Sequence, residues 1–299
     1  MAIAYICKGV KKRILYLFLL LVFANGLKAD HIVGSEISYI YKSTNLYTIL
    51  TKVYRNCNDC KLNGNGGGTN PDNCNDIGML DLYGYNPVQK KYIKLASITT
   101  TRKSIRDLTE LCPGEVSTCN TSSTYGFGVE EHIFESEIDL TTHLDNNYSE
   151  FKFSITIDAR SPGISSSSLV QNHFNFCYLN TEIVQQSSPY SFGLPFNRIN
   201  TNNAIYASAQ YQSNGFDSIS YALDTAYISE TIQNSYPVGH SPDKPVGVIS
   251  GSDALAYKPK GVTLDAQSGQ LTFTPNIAPD IGVFVIECRG FIKDINGNN

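Results

Sequence analysis

Residues 151–158 read Phe-Lys-Phe-Ser-Ile-Thr-Ile-Asp, a strict alternation of apolar and polar side chains. Successive side chains of a strand leave on opposite faces, so Phe151, Phe153, Ile155 and Ile157 share one face and Lys152, Ser154, Thr156 and Asp158 the other. Such a segment buries one face as a strand and has no apolar stripe to offer as a helix. The period recurs: Ile37, Tyr39 and Tyr41 form one apolar face, and Tyr47, Ile49, Thr51 and Val53 form another. Only the short polar connection Lys42-Ser43-Thr44-Asn45 separates these two runs, so they read as a hairpin. Further strands are expected at residues 77–85, 91–99, 173–184, 204–212, 218–224, 262–264, 270–274 and 283–293, with Gln267-Ser268-Gly269 as a turn. Helical periodicity is weak, and only residues 103–111 suit a short helix. The 19 Tyr and 14 Phe fit half-buried pleated strands, and 41% hydrophobic residues are enough for a core. Regular short strands with polar turns predict an all-β chain of β-sandwiches. Residues 185–195 shift to Gln, Ser, Pro and Gly and read as a linker between two of them, at 30–185 and 192–299. The last strand runs into Asn296-Gly297, a hairpin signal with two residues beyond it, so the second domain is expected to be incomplete at its C-terminus.

The N-terminus predicts the compartment. Lys8, Lys11, Lys12 and Arg13 precede an apolar run over residues 14–24, which is shorter than the roughly 20 residues that span a bilayer. Small residues before Asp30 suit cleavage after Ala29, with Leu27 as a second possible start. The segment 1–29 reads as a signal peptide, and the mature chain, with no transmembrane span expected, as extracellular or displayed on the cell surface. In an oxidising compartment cysteines form disulfides. Of the 8 Cys, Cys7 leaves with the signal and seven remain. Cys112 and Cys119 flank a six-residue loop and are expected to bridge if it folds back, and Cys74 is expected to bridge to Cys57 or Cys60. The C-x-x-C of Cys57 and Cys60 lacks the second ligand pair of a structural zinc site. An odd count leaves one thiol free or paired outside the chain.

Charge and motifs argue against several functions. A net charge of -4 provides no basic stripe for nucleic acid. No G-x-S-x-G, H-E-x-x-H or phosphate-loop pattern is present. Glu130-Glu131-His132 groups two acids with a histidine, but neighbours in a strand diverge, so an exposed strand start is expected there. The Gly-rich run over residues 64–68 leads into Thr69-Asn70-Pro71, not a helix, and reads as a loop tip. The Asp and Asn clusters at residues 72–76 and at Asp294, Asn296 and Asn298 lack a full calcium-loop pattern. No catalytic, cofactor-binding or metal-binding residue is expected, and no cofactor.

The blocks Asp30-His31-Ile32-Val33-Gly34-Ser35-Glu36-Ile37-Ser38-Tyr39 and Lys52-Val53-Tyr54-Arg55-Asn56-Cys57 resemble the mature start of large surface proteins of Bacteroidota. Those proteins are of the gliding-motility-associated, type IX secretion kind. Leu111-Cys112-Pro113, Ser117-Thr118-Cys119 and Glu130-Glu131-His132-Ile133-Phe134-Glu135 are also similar to them. Gly261-Val262-Thr263-Leu264-Asp265 and Ser268-Gly269-Gln270-Leu271-Thr272-Phe273 resemble the closing strands of their cadherin- or Ig-like repeats. The resemblance implies a non-enzymatic module for adhesion, gliding or the extracellular scaffold, with an extracellular protein or a polysaccharide as its partner. The alternatives are the β-domain portion of a carbohydrate-active or other secreted hydrolase, and a calcium-dependent binding module.

Overall fold

The computed structural model describes residues 32–57, 61–62, 73–74, 79–144, 148–157, 164–167, 172–182, 185–191, 201–251, 257–278 and 282–292. The signal segment with its cleavage site at Ala29 and Asp30, Cys60, the glycine run at 64–68 and the Asn296-Gly297 turn lie outside the described residues. So do most of the 72–76 cluster and all of the 294–298 one. The strands of the first part are β1 (Ile32–Ser43), β2 (Leu46–Asn56), β3 (Lys61–Leu62), β4 (Asn73–Cys74), β5 (Met79–Asn86), β6 (Lys91–Thr99), β7 (Thr101–Asp107) and β8 (Val129–Asp139). A single helical turn, α1 (Thr141–Leu144), leads to β9 (Glu150–Ile157) and β10 (His173–Asn180). Then come β11 (Tyr190–Ser191), β12 (Ile205–Ser208), β13 (Tyr211–Gln212), β14 (Ser218–Asp224), β15 (Val262–Leu264), β16 (Gln270–Phe273) and β17 (Val285–Phe291).

The all-β expectation holds, and the pairing is overwhelmingly antiparallel. β1 and β2 form the expected hairpin, closed where Asn45 takes φ 64°. Two four-stranded sheets follow, ordered β1-β2-β8-β7 and β10-β9-β5-β6. Their facing sides supply one apolar cluster, in which Ile37, Tyr39, Tyr47, Ile49, Val53, Phe134 and Ile138 meet Leu80, Leu82, Phe151, Phe153, Ile155, Ile157 and Leu179. The alternation of residues 151–157 therefore points where the sequence places it. Each such fully buried Leu, Ile or Phe contributes about 1.5–3 kcal/mol.

Residues 103–111 are not helical: β7 is an edge strand paired with β8, its side chains from Lys103 to Asp107 exposed. A strand with water on one edge and little beneath it needs no alternation, so its pattern carried no signal. The run expected at 204–212 divides into β12 and β13, with Gln210 at φ 47° between them. A smaller cluster of Val246, Val248, Leu271 and Phe273 forms the second core, joined by Ile205, Leu223, Val262 and Phe284. The sheets β12-β16-β15 and β14-β17 surround it. The residues expected as a linker are partly docked. Ser188 N donates to Tyr39 O at 2.9 Å, and Tyr39 N donates to Ser188 Oγ at 2.8 Å. Among the described residues no helix is long and apolar enough to cross a membrane.

Candidate functional site

Strand β9 sends Lys152 and Ser154 away from the first core, yet both are buried, at 5% and 2% exposure. Aromatic side chains of the neighbouring strands cover this outer face. Register sets Tyr178 of β10 and Tyr83 of β5 directly beside Lys152, and Phe176 beside Ser154. Lys152 Nζ lies 4.7 Å from the ring centroid of Tyr92, 5.2 Å from that of Tyr83 and 5.8 Å from that of Phe176. An ammonium at these distances is held by the ring quadrupoles as well as by its counter-ion. That counter-ion is Glu230, from the segment before the second core. The same segment lays Tyr227 over Phe174 and Phe176, with ring centroids 6.5 and 5.6 Å apart.

Beyond Lys152 the rings reach solvent. Tyr85, Tyr92 and Tyr178 form a continuous row, 5.4 Å between the first two centroids and 5.5 Å between the last two. Tyr178 is 47% exposed. Tyr92 Oη donates to Glu150. Burial first, then the charges of Glu230 and Glu150 among others, push the Tyr178 phenol up to about 12. Burial likewise raises Tyr92 and Tyr83. All three phenols are thus neutral at physiological pH and able to donate hydrogen bonds. The patch is a row of flat, amphipathic rings with carboxylates close by and one sequestered cation beneath.

Glu130-Glu131-His132 is not the exposed strand start expected from sequence, since Glu131 and His132 are 4% and 1% exposed. The divergence of neighbours does hold. Glu130 accepts from Arg55 Nε at 2.8 Å and from His132 Nε2 at 2.7 Å, whereas Glu131 is paired with Arg106 at 3.0 Å. The two carboxylates have separate partners.

The disulfide differs from the expected pairings. Cys119 is bonded to Cys57, with Cα atoms 4.8 Å apart, and Cys112 is an exposed free thiol. The loop carrying Cys119 does fold back, but onto the start of β8: Thr118 N donates to Phe127 O, and Tyr125 N to Val116 O. Cys57 N donates to Gly128 O at 2.8 Å, which brings the end of β2 to the same place. A Cβ on Gly128 would lie 2.8 Å from Cys119 Sγ, so this approach needs glycine. Cys57 therefore finds Cys119 and not Cys74, and the 112–119 loop stays open. Cys57, Cys119 and Glu130 lie near one another, but sulfurs joined in a disulfide offer no thiolate to a metal.

Sequence reading missed the aromatic row, whose only signal was the abundance of Tyr and Phe. No protein-family model matches the chain, and neither a curated protein nor a solved structure matches it.

Proposed function

We propose that the chain is an exported, non-enzymatic module of the cell surface or extracellular scaffold, built of two β-sandwich domains of Ig- or cadherin-like kind. In this reading it adheres to a polysaccharide through the Tyr85–Tyr92–Tyr178 row. The observation that carries the reading is that row of partly exposed rings, flanked by the Glu150 and Glu230 carboxylates. Flat rings offer apolar area to the C–H faces of sugars, and fixed carboxylates accept from hydroxyls, a pairing that suits a hydroxyl-rich polymer. The resemblance of the first strands to Bacteroidota surface proteins supports the adhesive or gliding role. The N-terminal segment supports export.

The test is calorimetric binding of the chain from Asp30 onward to a panel of bacterial and algal polysaccharides. Tyr178→Ala should weaken binding about tenfold, equivalent to about 1.4 kcal/mol, without lowering the melting midpoint appreciably. Undiminished binding by that variant would remove the patch as the site. Affinity for surface proteins but for no polysaccharide would overturn the ligand class.

A further inference from the structure

The outer face of β9 carries Glu150 and Lys152 two residues apart, and register puts Asp81 and Tyr83 of β5 on the same face. The carboxylates around the tyrosine row are matched one by one with cations of the chain. Lys94 Nζ lies 2.8 Å from Asp81 Oδ1, and Lys152 is bonded to Glu230. Glu287, whose charge acts on the Tyr178 phenol, is 2.6 Å from Arg289. Glu150 is the exception. Among the described residues no lysine, arginine or histidine forms an ion pair with it, and its side chain is bonded to Tyr92 Oη alone. Half-buried at the head of β9, it uses Oε1 on that phenol, and Oε2 is left to accept from outside the chain.

The neighbouring rings are ones that take a cation. Tyr92 already holds the Lys152 ammonium 4.7 Å from its ring centroid. Glu230 neutralises that ammonium, so it offers little repulsion to a second charge. A phenol that donates to a carboxylate gains electron density, which deepens the negative potential of its ring face. Tyr178, 5.5 Å from Tyr92 and 47% exposed, continues this surface into solvent. A ligand on the row therefore meets flat rings and a carboxylate without a counter-ion. A neutral hexose answers only the rings. A hexosamine with a free, protonated amine answers both, and N-acetylation would remove its charge.

We propose that the Tyr85–Tyr92–Tyr178 row selects a polysaccharide of free amino sugars, whose ammonium pairs with Glu150 and lies against the Tyr92 and Tyr178 rings. This rests on the reading of the row as a polysaccharide site and specifies the ligand of that site. The net charge of -4 draws such a polycation toward the chain, and Glu150 decides where its amine settles.

Calorimetry of the chain from Asp30 onward, in mildly acidic buffer, compares a glucosamine hexamer with the same hexamer fully N-acetylated. The two ligands share a backbone and differ in charge. The free-amine hexamer should bind about tenfold tighter. Glu150→Gln retains an acceptor for Tyr92 Oη and should erase this preference while leaving affinity for the acetylated hexamer unchanged. Tyr178→Ala should weaken both. Glu115→Gln removes an equal charge from an exposed loop and should leave the preference intact. Equal, Tyr178-dependent affinities for the two hexamers would overturn the amine preference and leave the polysaccharide reading standing. Absence of Tyr178-dependent binding to either hexamer and to every polysaccharide of the panel would instead fail that reading, and the inference with it. A preference that survives Glu150→Gln, or that Glu115→Gln reduces as much, would also overturn it. So would tighter binding of hexalysine than of the glucosamine hexamer, which would replace the sugar by a basic peptide.

Discussion

At Glu130 two opposed influences meet. Burial drives the carboxyl pKa up, but hydrogen bonds from His132 and Arg55, with the Arg55 charge, bring it down to about 2 from an ordinary 4.5. The folded chain thus holds fewer protons on this group than the unfolded chain does at pH values between those two. The stability it contributes is fully present above about pH 4.5 and is lost as pH falls toward 2. Glu130→Gln should cost about 3 kcal/mol near neutrality, because the pair with Arg55 is largely buried. It should also flatten the acid limb of urea denaturation followed by circular dichroism from pH 6 to 2. Parallel acid limbs in parent and variant would show that Glu130 is not the group responsible. Glu36 has the opposite sign. Its burial raises the pKa despite Lys52, so its contribution is present at low pH and is lost as pH rises above 4.5.

Among the elements, the β1–β2 hairpin and β9 were legible in the sequence, and β7 was not. The hairpin combines two alternating runs with a connection that demands one positive φ, and Asn45 supplies it at 64°. Asparagine tolerates the left-handed region, whereas a β-branched residue is excluded from it. Asn45→Val should therefore cost about 1–2 kcal/mol, read from the shift of the urea midpoint at unchanged slope. Asn45→Gly should be tolerated. A neutral Asn45→Val would mean that the turn can rearrange without the left-handed residue. By contrast, β7 is held by backbone pairing to β8 and not by a buried face. Its Lys103 and Arg106 pair across to Glu135 and Glu131, and charge of this kind keeps an exposed edge from recruiting another strand. Nothing in a run of exposed residues distinguishes such an edge from a short polar helix.

Across the molecule, the segment at 225–236 joins the two cores. Glu230 reaches the buried Lys152, Asn234 Nδ2 donates to Ser166 O at 3.0 Å, and Val283 N donates to Ser166 Oγ at 3.2 Å. Removing Glu230 leaves the buried ammonium, among the described residues, with ring faces and no counter-ion, so Glu230→Ala should destabilise by about 3 kcal/mol. Replacing both partners, as in Lys152→Met with Glu230→Gln, should cost less than Glu230→Ala alone, because no buried charge then remains unpaired. Urea unfolding of the parent, Glu230→Ala, the single variants Lys152→Met and Glu230→Gln, and the double variant measures the difference. A double variant as unstable as the sum of its parts would show that the two side chains do not interact.

The alternation at residues 151–157, the hairpin run around Asn45 and the turn before Gly269 were determined by the sequence alone, because each depends on side-chain periodicity or on a local φ requirement. What lies against those faces was decided only by the tertiary structure. The sequence sends Lys152 away from Phe151 and Phe153, but it cannot say that three neighbouring strands and a distant segment close over that side and turn a solvent face into an aromatic one. The cysteines follow the same division. The expectation that they form disulfides is read from the N-terminal segment, whereas the choice of Cys57 for Cys119 depends on two strand ends meeting at Gly128. Spacing along the chain constrains only loops, and pairing between distant strands is fixed by which backbones hydrogen-bond side by side.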